Sequence, residues 1–159
     1  MINETEIILD KTDLHILRLM QENARISNAD MARELGMAPS GILERVKKLE
    51  QKNVILQYTA RISPDALQQK MLAFIFMKVT DGPGCNDTAQ ALAKIPEVQE
   101  VHNVAGEDCY LVKVRTYDSA SLMQLMRTSF SKIPSLLSTR TTIVLETVKE
   151  QQQLVIPEK

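Results

Sequence analysis

The chain of 159 residues predicts an α+β fold in two parts, because the spacing of its apolar residues changes along the sequence. From Leu9 to about Asn53, apolar residues recur with a helical period. From Leu72 onward they fall into short β-rich runs separated by helical ones. This pattern indicates three helices followed by a βαββαβ order, which is a ferredoxin-like arrangement. We place the boundary of the two parts between residues 62 and 63.

The first two helices are predicted from their start and stop residues. Asp10 followed by Asp13 favours a helix N-terminus. The apolar face of this helix consists of Ile16, Leu17, Met20 and Ala24. Ser27 with Asp30 matches a capping box, and Gly36 occupies the position expected of a C-terminal cap. The apolar residues of this second, short helix are Met31, Ala32 and Leu35.

The third helix is predicted to begin at Pro39, because the missing N–H of proline costs nothing at the first helical position. One side of this helix carries Ile42, Val46, Leu49 and Asn53, and Leu43 widens its apolar stripe. Only three residues, Gly36 to Ala38, separate the last two helices, which is typical of a helix-turn-helix. Residues 54–62 alternate loosely and predict a strand or wing, so residues 1–62 form a winged helix-turn-helix domain in this interpretation.

The second part, residues 63–150, contains the six elements of the βαββαβ order. Strands are predicted over residues 71–80, 98–104, 109–116 and 139–148, and helices over residues 87–95 and from Asp118 to Phe130. A turn is predicted at residues 81–84, and Gly106 joins the two middle strands as a hairpin. Residues 151–159 are either a loose tail or a strand added to a neighbour, and the sequence leaves both open.

The composition argues against several classes of protein. No apolar run is long enough to span a bilayer, and residues 1–10 lack the features of a signal peptide, so we expect a cytoplasmic protein. Cys85 and Cys109 have no paired spacing and are read as thiols. His15 and His102 are isolated, which argues against a metal site, and we expect no cofactor. With no positioned nucleophile and base and no glycine-rich phosphate loop, we expect no enzyme.

The outer side of the third helix is the candidate nucleic-acid surface. Its residues are Pro39, Ser40, Gly41, Glu44, Arg45, Lys47, Lys48 and Lys52. Residues 39–61 hold five basic and two acidic residues, a local charge of +3 in a chain whose net charge is -1. Arg45 can offer a bidentate fork to guanine, while the lysines suit phosphates and Glu44 either accepts from cytosine or pairs with Lys48. Double-stranded DNA is therefore the expected partner.

Two alternatives for this helix stay open on the sequence alone. Basic residues on a solvated helical face also serve only solubility, and a winged helix also binds proteins. Salt separates DNA binding from protein binding, because each phosphate contact releases counterions and makes affinity fall steeply as salt rises.

Ordered matches across both parts resemble one family, the Lrp/AsnC or feast/famine transcriptional regulators. In the first part the matching residues are Leu9-Asp10, Asp13, Ile16-Leu17, Asn23-Ala24-Arg25, Leu35-Gly36, Leu43, Arg45-Val46, Leu49-Glu50 and Val54-Ile55. In the second part the run GEDCYLVKVR from Gly106 to Arg115 is similar to the strand-turn-strand of their C-terminal domain. The resemblance covers residues 9–150.

This resemblance implies a regulator whose assembly and DNA binding respond to a small-molecule effector, commonly an amino acid. It also implies a homodimer formed through the C-terminal sheets that assembles further into a tetramer or octamer. The effector site it implies consists of Gly106, Glu107, Asp108 and Cys109 with Thr141, Thr142 and Ile143 of the last strand. An effector-independent architectural DNA-binding protein is the alternative function.

Two residues depart from the family pattern. Many members have aspartate at the position of Cys109, so a polar contact to the effector is either missing or supplied by Asp108. Many have serine or threonine where this chain has Ala38, so the third helix lacks a side-chain cap. From its residues alone, the Gly106 loop fits either a plain hairpin turn with solvated carboxylates or a site that holds an ammonium group.

Overall fold

The computed structural model describes residues 7–82 and 86–158. They form two compact units: the first ends at Arg61 and also includes the segment from Glu150 onward, and the second is Ile62–Lys149. The elements are α1 (Lys11–Glu22), α2 (Asn28–Leu35), α3 (Pro39–Gln51), β1 (Met71–Val79), α4 (Asp87–Ala93), β2 (Val98–Asn103), β3 (Tyr110–Thr116), α5 (Ser119–Thr128), a 3-10 turn (Phe130–Lys132) and β4 (Leu136–Ile143).

Helix α1 begins with a complete capping box, as its acidic start predicts. The carboxylate of Asp10 accepts a hydrogen bond from the backbone N–H of Asp13 at 2.8 Å, and the Asp13 carboxylate accepts one from the N–H of Asp10 at 3.2 Å. Two N–H groups that have no partner inside the helix are thereby satisfied. The helix ends at Glu22, so Ala24 lies beyond it rather than on its apolar face.

Helices α2 and α3 meet at a tight turn. The side chain of Ser27 accepts from the N–H of Asp30 at 3.0 Å, which is one half of the predicted capping box. Gly36 adopts a left-handed conformation with a φ of 62° and closes α2, which confirms its prediction as the C-terminal cap. Helix α3 then begins at Pro39, and Ala38 at its N-cap gives no side-chain hydrogen bond.

The three helices bury one apolar cluster. Its buried members are Ile16, Met31, Ala32, Ile42, Val46 and Leu49. All six belong to the faces predicted from the helical period. Leu43, in contrast, is 41% exposed. Asn53 does not extend the buried face of α3, because it follows the end of the helix with a φ of 54° while Val54 N–H bonds back to the carbonyl of Leu49.

The strand predicted over residues 54–62 is not found: none of these residues is in a strand. The segment is extended but forms no ladder with any strand of the described residues, and most of it is exposed. A strand exists only where a neighbour pairs with its backbone groups, and an alternating pattern cannot supply that neighbour. Tyr58 instead folds back on α3, where its hydroxyl donates to the Glu50 carboxylate at 2.8 Å.

The second unit is an antiparallel sheet with two helices packed on one face. The strand order is β2-β3-β1-β4, with β1 pairing antiparallel with both β3 and β4 and β2 pairing with β3. This is the predicted ferredoxin-like arrangement. Its core lies between the sheet and the helices and includes Ile75, Met77, Leu92, Val112, Val114, Leu122, Leu125 and Phe130. Asp118 caps α5, as its position predicts, by accepting from Ser121 N–H at 2.8 Å.

Strand β4 differs from its predicted bounds of residues 139–148. It begins earlier, at Leu136, and ends at Ile143, which is level with Ala73 near the start of β1. Beyond this level β1 offers almost no backbone for pairing. Leu145 and Val148 are accordingly more than nine-tenths exposed, although their residue types favour strands.

The segment after Glu150 is fastened to α1 within the first unit. The side-chain amide of Gln21 makes two hydrogen bonds with the backbone of Leu154, donating to its carbonyl at 3.0 Å and accepting from its N–H at 2.8 Å. Gln153 donates to the carbonyl of Gln21 at 2.8 Å, and Arg18 donates to the carbonyl of Pro157 at 2.9 Å. The tail is therefore held to α1, while Leu154 and Val155 remain exposed.

Candidate DNA-binding surface and effector loop

The N-terminal end of α3 has small side chains and is exposed. Pro39 and Ser40 are exposed, and Gly41 has no side chain. A methyl group placed on Gly41 would meet only the end of the Met37 side chain, at 3.6 Å. With Ile42, Val46 and Leu49 buried on the opposite side, α3 turns its polar residues outward. This is the geometry that a helix needs to enter a groove of DNA.

The four cations of α3 and its C-cap, Lys52, differ in their pairing. Lys48 forms an ion pair with Glu44 one turn earlier, at 2.8 Å, and this pair holds the pKa of Glu44 below its ordinary value. Among residues 7–82 and 86–158, no ion pair involves Lys47 or Lys52, and both are exposed. These two lysines are therefore the cations of α3 most available to phosphate groups.

Arg45 points away from the outer surface toward the start of α1. Its Nη1 donates to Asp10 and to Asp13, each at 2.7 Å, and its side chain is 32% exposed. The two carboxylates raise the pKa of Arg45. This contact is not predictable from sequence spacing, because the partners are 35 and 32 residues away. The use of Arg45 as a fork to guanine stays a prediction.

The predicted effector loop lies between β2 and β3. Gly106 has a φ of 150°, a value that L side chains rarely adopt, and Glu107 beside it is exposed. Cys109 is a free thiol, half-buried, with its N–H bonded to the carbonyl of Met77 at 2.9 Å. Gly106 thus makes the predicted hairpin. The thiol predicted at Cys85 lies outside the described residues, as do Pro83 and Gly84 of the turn predicted at residues 81–84.

One carboxylate of this loop is already paired. Asp108 accepts a hydrogen bond from the Arg140 guanidinium at 2.8 Å, and this guanidinium stacks 4.2 Å from the centre of the Phe76 ring. The sequence does not predict a site role for Arg140, because Arg140 and Asp108 are 32 positions apart and no local pattern links them. An amino acid carries an ammonium and a carboxylate, and the Asp108–Arg140 pair offers a complementary charge for each.

The residues of β4 predicted to face the loop are only partly near it within one chain. Tyr110, where β3 begins, is level with Met77 and Thr139. Ile143 is four residues farther along β4, about 13 Å at the rise of a strand. Within one chain, the hydrogen bond between Asp108 and Arg140 joins the loop to β4, whereas Thr142 and Ile143 are not brought to Gly106.

No helix in the described part of the chain is long and apolar enough to cross a membrane. Nor do the described residues contain a group of three or more His, Cys, Asp or Glu side chains placed to hold a metal ion. His102 instead lies 3.2 Å from the Glu100 carboxylate on the same strand.

Comparison with known proteins identifies both units. Residues 9–56 match the model of the winged helix-turn-helix DNA-binding family, and residues 72–154 match that of the Lrp/AsnC ligand binding domain. The leucine-responsive regulatory protein of Escherichia coli strain K12 is 36% identical over 152 residues, which cover 93% of this chain and 92% of that protein. The chain belongs to the Lrp/AsnC family. It is an effector-responsive, DNA-binding transcriptional regulator, and this membership confirms that it is not an enzyme.

Solved structures of the Lrp/AsnC family share the fold along almost the whole chain. A transcriptional regulator from Neisseria meningitidis in complex with L-methionine superposes with a TM-score of 0.85 at 28% identity, covering 93% of this chain and 97% of the other. A feast or famine regulatory protein from Mycobacterium tuberculosis, complexed with L-methionine, gives 0.85 at 30% identity, covering 94% and 100%. The predicted two-part architecture is thereby confirmed.

Proposed function

We propose that α3 enters the major groove of double-stranded DNA with its N-terminal end, where the side chains are small. In this proposal Lys47 and Lys52 bind phosphates on either side of the groove. The observation that carries this proposal is the outward polar face of α3, with its small first residues and with two exposed lysines that no carboxylate in the described part of the chain neutralises. Small residues at the start allow the helix end to approach base edges, and Ser40 has a hydroxyl to offer them. Glu44 and Lys48 lie on the same face as a neutralised pair.

The effector in this proposal is an amino acid bound at the loop of Gly106, Glu107, Asp108 and Cys109. Support comes from the Asp108–Arg140 pair and from the two relatives whose structures hold L-methionine. Thr141, Thr142 and Ile143 then contribute from a second copy rather than from the same chain, since within one chain they run away from the loop. No other cofactor is proposed.

We propose a homodimer as the smallest assembly, and we propose that dimers associate further into a tetramer or octamer. The sheet face turned away from α4 and α5 supports this, because Phe74, Phe76 and Leu111 lie there only half-buried. Since DNA is the target, the protein acts in the cytoplasm in this proposal. Two α3 helices of a dimer would lie about 34 Å apart, or a multiple of that, so the DNA site has half-sites on one face of the duplex.

The experiment is selection of genomic fragments by the purified protein, with and without each common amino acid, followed by affinity measurement at several salt concentrations. A DNA-binding α3 predicts selected fragments and an affinity that falls steeply with salt. Amino acids that bind are expected to raise thermal stability, by about 2.7 kcal/mol at 100 times the dissociation constant. No affinity for any duplex at low ionic strength would refute the proposal, and binding without response to any amino acid would refute an amino acid as the effector.

A further inference from the structure

The capping carboxylates at the start of α1 also bind Arg45 of α3. Asp10 and Asp13 each use one carboxylate oxygen for the capping box of α1 and the other oxygen for Arg45. The capping bonds therefore orient both carboxylates so that their other oxygens can accept from Arg45. The Asp13 side chain is 16% exposed and that of Asp10 52% exposed, so the contact is partly shielded from water.

The charges around Arg45 argue against direct contact with DNA. Two carboxylates face one guanidinium, so the cluster of Asp10, Asp13 and Arg45 carries a net charge of -1 and repels phosphate. Nη1 of Arg45 is shared between two carboxylates of α1, which holds the guanidinium toward that helix. A bidentate contact to guanine would have to use the remaining N–H groups, on Nε and Nη2, beside this negative charge. Lys47 and Lys52 on the same helix have no such competitor among the described residues.

We propose that Arg45 is a positioning residue: through Asp10 and Asp13 it fixes the orientation of α3 on α1, and it contacts neither bases nor phosphates. This inference rests on the proposed function of α3 in DNA binding. It assigns to Asp10 and Asp13, the capping pair of a different helix, an indirect part in DNA recognition. A helix held at its middle by a charged contact keeps its angle in the groove, on which base contacts depend.

The test uses the full-length protein and two duplexes of equal length: a genomic fragment that the wild-type protein selects and one of random sequence. The variants are Arg45→Ala, Asp13→Asn and their combination. Glu34→Gln, which removes the same charge from an exposed position of α2, is the control for the general electrostatic effect of losing an acid. Lys47→Ala is the control for loss of a phosphate contact.

A positioning role predicts that Arg45→Ala and Asp13→Asn each lower the ratio of selected to random affinity by about tenfold, the effect of 1.4 kcal/mol. The double variant should lose no more than either single one. The slope of log affinity against log salt should stay unchanged in all three, while Lys47→Ala lowers it by about 1. A role in stability alone would lower the melting temperature and leave the affinity ratio of the folded protein unchanged, which would overturn the proposal.

If Arg45 contacts DNA directly, Asp13→Asn is expected to change DNA affinity in the opposite direction. If Arg45 touches DNA, removing a competing carboxylate should tighten binding beyond the Glu34→Gln control and steepen the salt dependence, and that result would overturn the proposal. If Arg45→Ala does not fold, as circular dichroism would show, the sign of the Asp13→Asn effect decides alone. A wild-type protein that binds neither duplex would instead refute the proposed function.

Discussion

Replacing Ala38 with serine is expected to stabilise the first unit by capping α3. Ala38 has backbone angles of -76° and 141°, close to the -78° and 153° of Ser27, whose side chain caps α2. A serine hydroxyl at position 38 would therefore lie where it can accept from Gly41 N–H, as Ser27 does from Asp30 N–H at 3.0 Å. In the wild-type protein, Gly41 N–H donates to the carbonyl of Ala38 at 3.0 Å.

The magnitude follows from the value of a side-chain cap. Exchanging serine and alanine at an N-cap changes stability by about 1 kcal/mol. For a unit of this size, that corresponds to a rise of about 4–8 °C in the melting temperature. Thermal unfolding followed by far-ultraviolet circular dichroism measures the rise, and slower hydrogen exchange at the Gly41 amide locates it at the start of α3.

A matched pair of variants isolates the hydroxyl. Ala38→Thr and Ala38→Val have nearly the same shape and differ in the oxygen that accepts the hydrogen bond. Threonine is expected to exceed valine in stability, since valine is a poor N-cap. Equal melting temperatures for these two variants, or a serine variant no more stable than the wild type, would show that the open N-cap of α3 is satisfied in another way and would refute the reasoning.

Three further outcomes are expected. Ile42→Ala should lower the free energy of unfolding by about 2–5 kcal/mol, because Ile42 is fully buried, whereas the half-exposed Leu43→Ala should cost far less; urea unfolding of both checks this. Gly41→Ala should raise stability by about 0.5–1 kcal/mol yet weaken DNA binding if the helix start approaches bases closely, and unchanged affinity would contradict that approach. The backbone N–H that Asp10 caps, and then the guanidinium beside it, hold the pKa of Asp10 below its ordinary value. Its charge therefore stabilises the fold above the unfolded pKa of about 3.9, and this contribution is lost as pH falls through the lower folded pKa. The difference in melting temperature between wild type and Asp10→Asn should shrink over that range, and a constant difference would contradict the assignment.

The first unit was readable from sequence where its signals are local. A capping carboxylate at Asp10, a left-handed glycine at Gly36 and a proline at the start of α3 each act within three or four residues. The helical period then identifies the buried face, since side chains three and four apart lie on one side of a helix. These features need no knowledge of the rest of the chain.

The features that the sequence does not predict depend instead on residues far apart in the chain. Residues 54–62 have a strand-like pattern but no strand to pair with, and β4 ends where β1 runs out rather than where its β-favouring residues do. The Arg45 and Arg140 contacts join residues more than 30 positions apart. Such partners are set by how the helices and strands pack, so residue type predicts that an arginine will find a carboxylate but not which one.

The pairing of cations on α3 also changes what its charge predicts for DNA binding. Counted from the sequence, α3 and its cap offer four cations: Arg45, Lys47, Lys48 and Lys52. In the structure Arg45 and Lys48 are held by carboxylates, which leaves two for phosphate. At about 0.9 counterions per phosphate contact, the contribution of α3 to the salt slope should be about 2 per protomer rather than 4.

The double variant Lys47→Ala/Lys52→Ala tests this difference directly. It should remove about 2 per protomer from the slope measured for the wild-type protein, and adding Lys48→Ala should remove little more, because that lysine is paired with Glu44. A further drop of about 1 on adding Lys48→Ala would show that the lysine leaves Glu44 when DNA binds. The ion pair between Lys48 and Glu44 would then exist only in the free protein, and a phosphate would replace Glu44 on binding. In that case the number of unpaired cations would underestimate the number of phosphate contacts.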